Sequence, residues 1–145
     1  MQHRDSTPDA HALMAQAREA ARLSYSPYSG FPVGAALLCE DGTVIKGTNV
    51  ENRSYGLANC AERSALFAAV SQGRRKFVAI AVACPASGVP VSPCGACRQA
   101  LSEFCAPEMP VYFAGSGPDF VTTTISELLP KDALHGLKDT VRDRR

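Results

Sequence analysis

The 145-residue sequence has no surplus of charge of either sign. Fifteen lysine and arginine residues face fourteen aspartate and glutamate residues, which leaves a net charge of +1. Binding to a phosphate backbone requires a strongly positive surface, so this balance disfavours a nucleic-acid-binding protein. The locally basic stretch at residues 141–145 is expected to be a solvated tail. The composition therefore predicts no nucleic-acid partner.

Long hydrophobic runs are also absent. The longest apolar run, residues 77–84, is far shorter than the roughly 20 residues that cross a bilayer. The first residues show neither an apolar signal-peptide core nor a cleavage site. We therefore expect a cytoplasmic protein without membrane contact. The length and the 46% of hydrophobic residues predict one globular domain over residues 1–145.

Histidine is scarce, and His3, His11 and His135 lie toward the two ends of the chain. We expect these three side chains at the surface rather than at a metal site. Cysteine, by contrast, occurs six times. In a reducing compartment such a set indicates metal binding or catalysis rather than disulfides. Half of the set is expected to be small residues of the core, namely Cys39, Cys84 and Cys105.

Periodicity and turn signals predict a mixed α/β protein. Asp9 is a suitable N-cap for the first helix, and Asp41-Gly42 between two apolar runs is a strong hairpin signal. The predicted order is α-β-β-α-β-α-β-β, over residues 8–26, 33–40, 44–51, 60–72, 76–84, 94–106, 110–115 and 120–125. Further helical turns are predicted at 127–130 and 132–139. This order predicts helices that cover a sheet in a layered sandwich.

The remaining cysteines all lie at predicted helix starts. Cys60 opens one helix, and the Cys-x-x-Cys pair of Cys94 and Cys97 opens another. Three thiolates around one zinc carry an excess negative charge, which two helix dipoles and Arg63 can offset. Three protein ligands leave the fourth position of a tetrahedral zinc open, as in catalytic sites. Beside such a site, the Glu62 carboxylate can move protons.

Cys60-Ala61-Glu62, followed by Cys94 and Cys97 in Pro-Cys-Gly-Ala-Cys-Arg-Gln, resembles the zinc-deaminase signature in its three-cysteine form. The chain is similar to the small cytidine deaminases that act on free nucleosides. The similarity covers nearly the whole chain, through residues 25–38, 47–66, 92–99 and 127–130. A cysteine rather than a histidine as the first ligand points to free cytidine and away from the branches that edit nucleic acid.

The resemblance implies a fold and a reaction. The fold is a three-layer α/β/α sandwich with a mixed five-stranded sheet, assembled as a homotetramer. One zinc ion per subunit is held by Cys60, Cys94 and Cys97, with Arg63 beside the sulfurs. The reaction, with Glu62 as general acid and base, is the hydrolytic deamination of cytidine and deoxycytidine to uridine and deoxyuridine with release of ammonia. Its setting is pyrimidine salvage.

The resemblance also implies a nucleoside pocket. Asn49 and Glu51 hold the ribose hydroxyls, and Phe31 packs against the pyrimidine, roles that suit their chemistry. Backbone groups of Ala61 read the base edge. Tyr55 of a neighbouring subunit completes the pocket.

One position departs from the family pattern. Three residues after Leu-Leu-Pro, where the family commonly has a phenylalanine, this sequence has Ala133 followed by Leu134. We expect this difference to alter the C-terminal closure of the pocket.

Other interpretations of the same residues lead to different experiments. The Cys-x-x-Cys pair at a helix start is also typical of thiol oxidoreductases, although that function leaves Cys60 and Glu62 without a task. A closed structural zinc site and a catalytically inactive nucleoside-binding or protein-binding module are further alternatives. Zinc content separates a deaminase from a redox protein, and turnover separates an enzyme from a binding module.

Overall fold

The computed structural model describes residues 9–134, 136 and 137. The expectations for His3, for His135 and for the tail at 141–145 lie outside the described residues, as does part of the helical turn predicted at 132–139. His11 is exposed, as predicted.

The predicted order of helices and strands is confirmed, and each of the eight main elements is shorter than its predicted range. The elements are α1 (Ala10–Ala21), β1 (Gly34–Cys39), β2 (Val44–Thr48), α2 (Ala61–Ser71), β3 (Phe77–Ala83), α3 (Gly95–Phe104), β4 (Pro110–Ala114), β5 (Val121–Thr124) and α4 (Ile125–Leu128). A short 3-10 turn, Tyr55–Leu57, lies in the loop before α2. None of the described helices is long and apolar enough to cross a membrane.

Helix α1 begins where the sequence predicts and ends earlier. The Asp9 side chain accepts a hydrogen bond from the Ala12 backbone at 3.0 Å, as an N-cap does. The prediction that the helix continues to residue 26 is wrong. The Tyr25 N–H donates to the Asn49 carbonyl at 3.2 Å, and the Tyr25 carbonyl accepts from the Glu51 N–H at 2.8 Å. This pairing with a distant segment draws the chain out of the helix.

The strands form one mixed five-stranded sheet in the order β2-β1-β3-β4-β5. Only β3 and β4 pair in parallel, and the other neighbours are antiparallel. A parallel pair needs a crossover connection, and α3 lies in that connection. Strand β3 is central, and its residues 79–83 are buried, which fits its continuous apolar sequence.

Helices cover both faces of the sheet. On one face, α1 packs Leu13, Met14 and Ala17 against alanines of β1 and β3. On the other face, α2 and α3 pack side chains such as Leu66 and Leu101 against the opposite side chains of the same strands. The three-layer α/β/α sandwich is therefore confirmed. Cys39, Cys84 and Cys105 are buried, as expected of small core residues.

Glycine permits the close contact between α2 and β2. A methyl group added to Gly47 would lie 2.4 Å from the Ala65 nitrogen and 2.5 Å from the Ala61 oxygen. Both atoms belong to the helix backbone, so no side-chain movement could relieve the overlap. The first turns of α2 are thus set directly on the sheet, and this contact determines where Cys60 and Glu62 lie.

Candidate active site

The N-termini of α2 and α3 bring three sulfur atoms together. Cys60 is the N-cap of α2, Cys94 is the N-cap of α3, and Cys97 lies in the first turn of α3. The Cys60 and Cys94 sulfurs are 3.7 Å apart, and the Cys94 and Cys97 sulfurs are 3.5 Å apart. All three atoms lie within 4.8 Å of one another. The positive ends of two helix dipoles therefore face one group of thiols.

These separations fit a single metal ion. A Zn–S bond of about 2.3 Å in tetrahedral geometry places two sulfurs about 3.8 Å apart. The sulfur separations of 3.5 and 3.7 Å are close to that value. Thiolates are also ligands that zinc prefers. None of the six cysteines, all of which lie in the described part of the chain, forms a disulfide, so no disulfide competes for these sulfurs.

Arg63 and the neighbouring thiols favour a thiolate at Cys60. Hydrogen bonds to its sulfur, first from the Cys97 thiol and then from Arg63 and Cys94, lower the pKa of Cys60 to about 5. The Arg63 Nη2 atom donates to this sulfur at 3.1 Å. The bond to Cys60, together with burial, raises the pKa of the Cys97 thiol. The cluster thus concentrates negative charge that a cation can neutralise.

Glu62 points into the protein beside this cluster. It is 4% exposed, although it lies in the first turn of a helix where most carboxylates are solvated. Burial raises the pKa of its carboxyl to about 7, and the charge of the Cys60 sulfur adds to the increase. A carboxyl group in this position can accept a proton and return it near neutral pH.

A second group of predicted residues surrounds Asn49. Its side-chain nitrogen donates to the Phe31 carbonyl at 2.9 Å, and its side-chain oxygen accepts from the Val33 N–H at 2.9 Å. The Ser24 hydroxyl donates to the same oxygen at 2.5 Å. Asn49 therefore holds the segment that carries Phe31, whose side chain is half-buried just before β1.

Glu51 is bonded to the same loop. Its Oε1 atom accepts from the backbone N–H groups of Tyr28 at 3.0 Å and of Ser29 at 3.1 Å. Its Oε2 atom accepts from the Ser29 hydroxyl, which in turn accepts from the Phe31 N–H at 3.0 Å. The Ser29 hydroxyl and the two N–H groups lower the pKa of Glu51. The side chain is therefore a carboxylate.

Backbone pairing connects the two groups. The Val50 N–H donates to the Asn59 carbonyl at 3.0 Å, and the Asn59 N–H donates back to Val50 at 2.9 Å. Asn59 immediately precedes Cys60, so the segment that carries Asn49 and Glu51 runs beside the sulfur cluster. Next to it lies a hollow of about 300 Å³ lined by Tyr28, Ser29, Glu51, Asn52, Tyr55 and Ala58.

Tyr55 and Ala133 both lie at the surface. Tyr55 is 78% exposed, and its ring meets the Tyr28 ring edge-on at 6.4 Å between centroids. It therefore lines the hollow of its own chain while most of the residue stays exposed. Ala133 is exposed, and the following Leu134 is 56% exposed.

Comparison with known proteins identifies the family of this site. The sequence model of the cytidine and deoxycytidylate deaminase zinc-binding region matches residues 7–113, most of the chain. The chain belongs to the cytidine deaminase family. The matched stretch contains Cys60, Glu62, Cys94 and Cys97, so the sulfur cluster lies inside the region that defines the family.

Individual deaminases agree in sequence and in fold. The chain is 53% identical to a cytidine deaminase of Sporosarcina psychrophila over 122 residues, covering 84% of this chain and 89% of the relative. A cytidine deaminase crystal structure from Burkholderia pseudomallei superimposes with a TM-score of 0.80 at 46% identity, covering 90% of this chain and 98% of that chain. The Mycobacterium tuberculosis cytidine deaminase structure gives 0.75 at 38% identity, covering 86% and 97%. The chain is therefore an enzyme of the deaminase class.

The sequence interpretation did not assign roles to three residues that organise the site. Ser24 contacts Asn49, Ser29 contacts Glu51, and Arg98 contacts the loop before Cys94. Ser24 immediately precedes the stretch 25–38, and Ser29 lies within it. Arg98 lies in the Pro-Cys-Gly-Ala-Cys-Arg-Gln motif. Their place in or next to these motifs was a signal, but spacing alone did not indicate their partners.

Proposed function

We propose that this protein catalyses the hydrolytic deamination of cytidine and deoxycytidine to uridine and deoxyuridine, with release of ammonia. The observation that carries the proposal is the juxtaposition of three sulfurs at metal-binding separations with the buried carboxylate of Glu62. The names of the related enzymes support cytidine as one substrate. The proposed setting is pyrimidine salvage in the cytoplasm, where a reducing environment would keep the thiols free.

Cys60, Cys94 and Cys97 are the proposed ligands of one zinc ion per subunit, and Arg63 donates to the Cys60 sulfur. When bound, zinc supplies Lewis-acid activation of the attacking water. A Glu62 carboxylate oxygen takes the proton of that water as its oxygen adds to C4 of the cytosine. The same carboxyl passes this proton to ring nitrogen N3, then takes the second proton from the hydroxyl now bonded to C4 and passes it to the amino group. The C4–N bond breaks, ammonia leaves, and the hydroxyl oxygen becomes the C4 carbonyl oxygen of the product.

The remaining residues would hold the nucleoside. Phe31 packs against the pyrimidine, and the backbone of Ala61 reads the base edge. Asn49 and Glu51 hold the ribose hydroxyls, which need both a donor and an acceptor. Their hydrogen bonds to the loop before β1 support this role, because those bonds restrict the orientation of both side chains. Neither group requires a 2′-hydroxyl, which is consistent with use of both nucleosides.

The proposed active form is a homotetramer of single-domain chains that takes a free nucleoside and no nucleic acid. Support comes from large apolar side chains that the single chain leaves exposed. Tyr55 (78% exposed) and Leu57 (71%) share the turn before α2, and Leu23 (80%) and Val50 (47%) line one hollow. Exposed apolar residues concentrated in this way are typical of association surfaces.

The decisive experiment compares the wild type with Glu62→Gln. Cytidine and, separately, deoxycytidine are added to each purified protein, the loss of the ultraviolet band is followed, and bound zinc is measured in the same samples. Wild type should convert cytidine and hold zinc. Glu62→Gln should keep zinc but lose at least about 10²-fold in kcat, because glutamine cannot exchange the proton.

Glu108→Gln provides the matched control, because Glu108 is exposed in a loop. It should turn over cytidine like the wild type. Near-normal turnover by a zinc-loaded Glu62→Gln protein would rule out the role of Glu62. Folded, zinc-loaded wild type that leaves both nucleosides unchanged would rule out the proposed substrates, and folded wild type that takes up no zinc would rule out the proposed cofactor.

A further inference from the structure

Arg98 uses every nitrogen of its guanidinium group to contact the surroundings of the sulfur cluster. Nε donates to the Pro93 carbonyl at 2.7 Å, Nη2 donates to the Ser92 hydroxyl at 2.9 Å, and Nη1 donates to the Leu128 carbonyl at 2.9 Å. The side chain is partly buried. One cation thus connects the loop before α3 with the end of α4.

These contacts matter because Cys94 is poorly supported by other means. It is exposed, and it follows residues 85–93, which form neither helix nor strand. Within α3, the Arg98 N–H donates to the Cys94 carbonyl at 3.0 Å. The Arg98 side chain returns to the residue before Cys94 and binds its carbonyl. The backbone on both sides of the Cys94 sulfur is therefore held by the same arginine.

A lysine cannot replace this arrangement. The guanidinium group presents donors in fixed, divergent directions, whereas a lysine ammonium is a single point that cannot reach three separated acceptors. Pro93 is buried, so its carbonyl would lose its hydrogen bond and find little water in exchange. The loop would then be free to shift and carry Cys94 away from the other two sulfurs.

We infer that Arg98 is a positioning residue for the metal centre. Its side chain holds Cys94 where the sulfur can bind the metal, and it links this position to α4. The inference rests on the proposed zinc site of Cys60, Cys94 and Cys97. It assigns Arg98 a task different from that of Arg63, which contacts a sulfur directly. Arg98 contacts only the backbone and the hydroxyl that place a ligand.

Zinc release provides a test that does not depend on turnover. The full-length, zinc-loaded wild type, Arg98→Lys and Arg98→Gln are mixed with excess chromogenic zinc chelator, and the rate of zinc transfer is recorded. Thermal unfolding of each loaded protein is measured in parallel. We expect both variants to release zinc at least about 10-fold faster, because loss of residues that orient metal ligands typically weakens binding by about 10- to 100-fold.

Two controls separate positioning from general destabilisation. Arg75→Lys changes an arginine that also binds two carbonyls, those of Val70 and Arg74, away from the cluster. Met14→Ala creates a cavity on the opposite face of the sheet and lowers the melting temperature without touching the loop. Both controls should release zinc within about two-fold of the wild-type rate, even where Met14→Ala melts as early as the Arg98 variants.

Ser92→Ala removes only the Nη2 contact and keeps the test informative if the Arg98 variants fold poorly. Its release rate should lie between those of the wild type and Arg98→Lys.

Release by the Arg98 and Ser92 variants within two-fold of the wild type would overturn the inference while leaving the proposed zinc site intact. Equal acceleration by Met14→Ala would overturn it as well, because the effect would then follow stability. A wild type that binds no zinc would overturn the proposed site and this inference together.

Discussion

The Ser29 hydroxyl joins two residues that have different proposed tasks. It donates to the Glu51 carboxylate and accepts from the Phe31 N–H. The carboxylate proposed to bind the sugar and the residue proposed to pack against the base are therefore parts of one hydrogen-bonded unit. At this scale, the placement of the nucleoside depends on a residue that does not need to touch it.

We predict that Ser29→Ala raises KM for cytidine more than it lowers kcat. The substitution removes the hydrogen bonds to Glu51 and Phe31, and one such bond is worth about 1 kcal/mol, or roughly a five-fold change in KM. Glu62 and the three cysteines are unaffected, so kcat should stay near the wild-type value. Steady-state kinetics with cytidine provides the measurement.

Ser116→Ala is the control for this prediction, because it removes an exposed serine hydroxyl in the connection between β4 and β5. It should leave both constants unchanged. An equal fall in kcat and kcat/KM for Ser29→Ala, with KM constant, would show that the hydroxyl acts on the chemical step instead.

At the scale of whole elements, the position of α2 determines the catalytic geometry. Its N-cap is Cys60, its first turn carries Glu62, and its backbone lies against Gly47 of β2. The helix can approach the sheet this closely only where the strand has no side chain. A residue in a strand outside the site therefore influences the distance between Glu62 and the sulfur cluster.

We predict that Gly47→Ala both destabilises the protein and impairs catalysis. The added methyl would meet two backbone atoms of α2 at 2.4 and 2.5 Å, so the helix must move. Overpacking of this kind costs about 1–3 kcal/mol, and displacement of Glu62 should lower kcat by more than ten-fold. Urea unfolding and cytidine turnover provide the two measurements.

Gly88→Ala is the matched substitution, because a methyl at Gly88 meets no atom within 4 Å. It should preserve both stability and turnover. If Gly47→Ala had wild-type kcat at temperatures where it is folded, the close contact would affect stability alone.

At the scale of the whole molecule, the position of Tyr55 allows two arrangements, in which it completes either the pocket of its own chain or that of a neighbour. The ring lines the hollow of its own chain, yet 78% of the residue is exposed. In the proposed tetramer, a neighbour would cover this ring and the nearby apolar residues. Mixed assemblies can therefore distinguish the two arrangements.

We predict that two defective chains restore each other when they assemble together. Tyr55→Ala lacks the ring but keeps Glu62, whereas Glu62→Gln keeps the ring but lacks the carboxylate. If Tyr55 acts in the neighbouring pocket, co-expressed chains should turn over cytidine faster than either variant alone. Sedimentation analysis of the same samples should show four chains per particle.

The control mixes chains that carry Glu62→Gln with chains that carry Cys97→Ala. In the native protein, Glu62 and Cys97 belong to one site within a single chain. Intact neighbouring copies of Tyr55 cannot rescue these sites unless whole elements are exchanged, so no gain is expected beyond the parent variants. Absence of recovery in the Tyr55 and Glu62 mixture as well would place Tyr55 in the pocket of its own chain.

The local pattern of the chain determined the chemistry of the candidate site. Cys60 and Glu62 are two positions apart, and Cys94 and Cys97 are three apart, so each pair lies within one helical turn wherever that helix is placed. The periodicity of apolar residues, the apolar runs and the Asp41-Gly42 turn likewise determined the order of strands and helices. Such features depend on near neighbours, which is why the sequence alone predicts them.

Contacts between remote segments decided the rest. Helix α1 ends early because Tyr25 pairs with Asn49 and Glu51, and Arg98 reaches Leu128, 30 residues away. The bonds of Asn49 and Glu51 to the loop before β1 have the same origin. Each of these interactions joins groups whose distance is set only when the sheet and its two helical layers have packed. Residue spacing carries no direct measure of that distance, so only the tertiary structure could determine these partners.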